Sequence, residues 1–100
     1  MEVTNEIEQE EISLVENSSS KAMNGELLIF CASITTHTAK VSVLMLGRRG
    51  EIKSKEPEVG NAIEYEGSMD TFYKVTLLAK YRHPKLYTHK IDVLVSKYKL

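Results

Sequence analysis

A single cysteine, Cys31, excludes any disulfide within this chain, and it sits in the apolar run Leu27-Leu28-Ile29-Phe30-Cys31-Ala32. It therefore reads as a small buried hydrophobe in a reducing compartment, and not as a reactive thiol. No apolar stretch exceeds six residues, far short of a membrane span. No basic segment followed by a long apolar run opens the sequence, so no secretory signal is expected and a cytoplasmic protein is the default. Phosphate loops, GxSxG elbows and HExxH helices are missing as well. These absences set the expectation of a non-enzymatic protein with no catalytic residues, cofactor or metal.

What is present is alternation. Residues 73, 75, 77, 79 and 81 read Tyr, Val, Leu, Ala, Tyr, and Ile91, Val93 and Val95 resume the pattern after Pro84. Period-2 alternation marks a strand with one buried face. A turn centred on Lys85 pairs Leu77 with Val93, Val75 with Val95, Ala79 with Ile91 and Tyr81 with His89. A slip of one residue would bury Asp92, so the hydrophobic pattern chooses the parity, which a turn centred on Pro84 satisfies equally well. The reading is a C-terminal β-hairpin over 73–83 and 88–98, with Tyr73 and Tyr81 inward and the lysines outward.

The rest of the chain reads as further strands. Residues 26–36 are apolar on both parities, which suggests a central strand packed on two sides. Residues 39–46 fit a strand better than a helix, since they are rich in Val. Short strands are expected after Ile52 and over Ala62 to Glu66. Asn17 to Lys21 reads as a loop and Asn24-Gly25 as a turn. Gly47-Arg48-Arg49-Gly50 reads as a charged hairpin tip. With one hundred residues, 42% of them hydrophobic, the chain makes one domain with its own core. The fold class expected is all-β: a small antiparallel sandwich or barrel of six to seven strands over residues 12–100. Residues 1–11 are expected to be a flexible acidic segment.

Charge is unevenly placed. The first sixteen residues hold six acids and no Lys or Arg, whereas residues 70–100 hold seven bases against two acids, a formal +5. Two such poles can steer a partner. A protein partner, or self-association through an unpaired strand edge, is the reading this supports, with Lys80, Arg82, Lys85, Lys90, Arg48 and Arg49 as the candidate partner-binding residues. The alternative is single-stranded nucleic acid, because the C-terminal third interleaves tyrosines with cations. Alternation argues against it, since it sends Tyr73 and Tyr81 to the core and leaves the lysines on a solvated face. His83 and His89 are too few to hold zinc without further ligands.

Overall fold

The computed structural model describes residues 5–35, 38–45, 52–66, 71–82 and 89–99. Eight strands follow one another: β1 (Asn5–Val15), β2 (Ser18–Ala22), β3 (Leu27–Ile34), β4 (Ala39–Met45), β5 (Lys53–Lys55), β6 (Ala62–Glu66), β7 (Thr71–Arg82) and β8 (His89–Lys99). They form two four-stranded antiparallel sheets. The first runs β1-β8-β7-β6 and the second β2-β3-β4-β5. The architecture is a β-sandwich, and the barrel alternative falls away because the two sheets are separate.

Alternation explains the core. Leu27, Ile29 and Cys31 of β3 and Val41 and Val43 of β4 are buried, and so are Val75 and Leu77 of β7 and Ile91, Val93 and Val95 of β8. Ile12 and Leu14 of β1 and Ile63 of β6 complete the layer. These β-branched and aliphatic side chains alternate with outward residues, as two packed sheet faces require. Residues 39–45 are a strand, as their composition indicated.

Three expectations need correction. The stretch after Asn17, read as a loop, is β2: Ser18 to Ala22 pair with Cys31 to Leu27 of β3. Its serines resemble loop residues in composition, but β3 supplies a ladder for them. The second concerns β3, which is apolar on both parities yet packed on one face only. Phe30 stays 37% exposed, and Leu28 is half-buried on the outer side.

The third concerns the hairpin. Register between β7 and β8 runs as expected from Val75↔Val95 to Leu77↔Val93, then shifts at a bulge, so that Ala79 faces Asp92 and Tyr81 faces Lys90. Leu78 is the extra residue. A bulge reverses the parity of everything beyond it. Tyr81, expected in the core, turns outward and is 50% exposed. The bulge sits where the loop before β6 grips β7: the Gly60 amide donates to the Leu77 carbonyl (2.8 Å), and the Leu77 amide to the Asn61 carbonyl (3.0 Å). Gly60 has φ +94°, a conformation that glycine adopts at no steric cost.

β1 begins at Asn5, within the stretch 1–11 read as a flexible acidic segment, and pairs with β8 from Asn5↔Lys99 to Val15↔Lys90. At Asn17, φ +63°, the chain leaves one sheet for the other. The Glu16 amide still bonds the His89 carbonyl (3.0 Å), whereas the Asn17 amide bonds the Cys31 carbonyl (2.7 Å).

Candidate functional site

Two of the six candidate cations, Lys80 and Lys90, have described side chains. Arg48, Arg49 and Lys85 lie outside the described residues, and Arg82 is placed by its backbone alone, opposite His89. Lys80 and Lys90 fall on opposite sides of the sheet. Beyond the bulge Lys80 takes the inward parity, level with Ile91, and its Nζ reaches across to the Thr35 carbonyl at 3.1 Å. The expected place of Lys80 on the solvated face is thus corrected: its ammonium bridges the two sheets at one end of the sandwich. Lys90 stays outward, its Nζ 5.8 Å from the Tyr81 ring centroid.

The two charge poles lie side by side. β1 carries Glu8, Glu10 and Glu11, and its ladder partner β8 carries Lys90, Lys97 and Lys99. Several of the acids also have local tasks. Glu10 Oε2 accepts the Met23 amide and Glu16 Oε2 the Ile34 amide, each at 2.7 Å. Across the sandwich, Glu26 accepts from Lys97 Nζ (2.9 Å) and from the Tyr73 hydroxyl (3.0 Å). The Lys97 contact lowers the Glu26 pKa, while burial and the bond to Glu26 push the Tyr73 phenol up to about 12. Glu10, Glu16, Glu26 and Lys97 are therefore engaged within the fold.

What gathers on the surface is a patch on the outer face of the β1-β8-β7-β6 sheet, at the bulge. Val15, Lys90 and Tyr81 form one row across three strands, and Ser13, Asp92 and Ala79 form the next. Val15 is 45% exposed and Leu78 38%. Ser13 Oγ donates to Asp92 Oδ1 at 2.6 Å, and the Tyr81 hydroxyl shares the same carboxylate, which raises the pKa of the phenol. Apolar side chains thus surround a small network of fixed polar groups. Sequence reasoning found Lys90 but missed Tyr81, Leu78, Val15 and Asp92. The consecutive pair Leu77-Leu78 was the available signal of a parity change.

Farther along the same face Phe72 stacks on Tyr98, ring centroids 4.8 Å apart, beside Lys74. This face therefore does carry surface aromatics, contrary to the expectation drawn from alternation. Among the described residues it also carries Glu6, Glu11, Glu64, Glu66 and Asp92, against Lys74 and Lys90. Among the described residues, no three His, Cys, Asp or Glu side chains come together to hold a metal ion, and no helix is long and apolar enough to cross a membrane. Cys31 is fully buried, and desolvation lifts its thiol to about 11. Comparison with protein-family models, with curated proteins and with solved structures finds no match.

Proposed function

We propose that this protein is a non-enzymatic binding module for another protein, and that it binds through the outer face of the β1-β8-β7-β6 sheet. One observation carries the reading: the β7 bulge turns Tyr81 out of the core and sets it beside exposed Leu78 and Val15, around the Ser13–Asp92–Lys90 group. Tyrosine and aliphatic side chains encircling a few fixed polar atoms make up the composition from which binding hot spots are built. Bulges commonly serve to re-aim a side chain in this way. The residues that matter are then Tyr81, Leu78, Val15 and Lys90. Lys80, engaged with Thr35, supports the fold.

Single-stranded nucleic acid is the second reading, and the stacked pair Phe72–Tyr98 beside Lys74 favours it. Charge weighs against it: among the described residues, five carboxylates against two lysines on this face repel a phosphate backbone.

The test is affinity capture with the parent chain and with Tyr81→Ser. A protein held by the parent and released by the variant, at unchanged thermal stability, supports the reading. Equal retention by both removes Tyr81 from the interface. Binding to single-stranded oligonucleotide that falls steeply with salt would put the second reading in place of the first.

A further inference from the structure

Strand edges are the usual route to association in a β-sandwich, and here they are poorly suited to it. β5 has three residues, and β2 and β6 have five each. Lys53 Nζ bridges from β5 to the Glu64 carbonyl of β6 at 2.6 Å. The β1 edge projects exposed Glu6, Glu8 and Glu11 and carries a bulge between Glu6 and Glu8. Such short, charged and bulged edges discourage an added strand. The two outer faces remain.

These faces differ in charge. On the β2-β3-β4-β5 sheet, Ser19, Phe30, Ser42 and Ser54 form one outward row, and Lys21, Leu28 and Leu44 form the next. Lys21 and Lys40 are the charged residues described on this face, and both are exposed. Phe30, Leu28 and Leu44 give it an apolar centre. The opposite face has an apolar centre too, at Leu78, Tyr81 and half-buried Leu94, but among the described residues five carboxylates surround it against two lysines.

We infer that the partner of this chain is a second copy of itself, docked with the Phe30 face of one copy on the Tyr81 face of the next. The inference rests on the protein-binding reading above and supplies the partner. Like faces would set lysine against lysine, or an excess of carboxylates against its equal. Unlike faces set Lys21 and Lys40 toward carboxylates and bring Phe30 onto aliphatic side chains. Such a contact is heterologous, so each copy keeps one free face and copies add in series, unless the rotation between them closes a ring. Four strands spaced ~4.8 Å apart and roughly six residues long offer on the order of 400 Å² per face. That is below the size of a standard specific interface and fits a weak, transient contact, so association rises with chain concentration and weakens with salt.

Two variants test this in sedimentation velocity, with circular dichroism to verify that each folds. Phe30→Asp blocks one face and Tyr81→Asp the other. The parent is expected to grow beyond a dimer as concentration rises, and each variant alone to stay monomeric. An equimolar mixture of the two is expected to form a dimer and nothing larger, because each variant retains the face the other needs. A parent that stays monomeric at every concentration overturns self-association, and leaves the protein-binding reading to its own test with Tyr81→Ser. If one variant abolishes association and the other leaves it intact, the contact joins two like faces and the inference is wrong.

Discussion

Glu10 and Met23 are joined across the edge of the sandwich: the carboxylate accepts the Met23 amide at 2.7 Å. Met23 and Asn24 both have positive φ, +54° and +55°. Together with the bond from the Gly25 amide to the Ala22 carbonyl, this is the pattern of the tight primed turns that join twisted strands. Positive φ is uncommon for methionine, so the side chain of a neighbouring strand holds a turn its own sequence does not favour. Glu10→Ala is expected to cost ~1–2 kcal/mol in denaturant unfolding, the loss typical of a backbone amide deprived of a charged acceptor. Glu11→Ala, one residue on and exposed, is expected to stay within about 0.5 kcal/mol.

Leu77 is the reference point for the core. It is buried opposite Val93, and Leu77→Ala is expected to cost ~2–5 kcal/mol by removing apolar contacts and leaving a cavity. Tyr81→Ser, at a position of the same parity, is expected to shift stability by no more than about 0.5 kcal/mol. Equal losses at the two positions in chemical denaturation would mean that no bulge separates them.

Stability should form a plateau in pH with two distinct flanks. Glu26 has its pKa lowered below 4.5 chiefly by Lys97. Its contribution is present above that value and disappears as pH falls through the folded-state pKa. The effect is small, because the side chain is largely solvated. Tyr73 moves the other way, from 10 to about 12. A raised pKa contributes stability below 10 that is lost as pH rises toward 12. Thermal midpoints across pH are expected to show both flanks, with Glu26→Gln flattening the acid one and Tyr73→Phe part of the alkaline one.

Cys31 offers a direct probe of opening. With its thiol buried and raised to about 11, the reactive thiolate is scarce and shielded at neutral pH. A thiol reagent is expected to label it only as the native state opens, and denaturant should accelerate labelling in step with unfolding. Immediate labelling of the native protein would contradict this.

The sequence made the hairpin legible as far as Leu77, because each apolar residue had one face available to it. Past that point alternation was a false guide. Lys80 and Tyr81 exchange the faces that their parity assigns, and the cause lies in a loop that bonds Leu77 from the β6 side, which no local pattern in β7 reveals. β2 escaped for a related reason: Ser18-Ser19-Ser20 has no strand signal of its own, and Cys31, Phe30 and Ile29 draw it into a ladder. The surface patch needed both the bulge and the β1–β8 register to bring Val15, Asp92 and Tyr81 together. Lys90 was legible from charge alone.

The pairing of β1 with β8 brings Asn5 level with Lys99, so one sheet is completed by segments from opposite ends of the described chain. During synthesis β1 is made before the six strands that separate it from its neighbour β8. Contacts of such long sequence separation form slowly, since loop closure must precede them. An apolar strand held in waiting would invite mispairing with other nascent chains. The exposed carboxylates of β1 disfavour such mispairing while the strand is without β8.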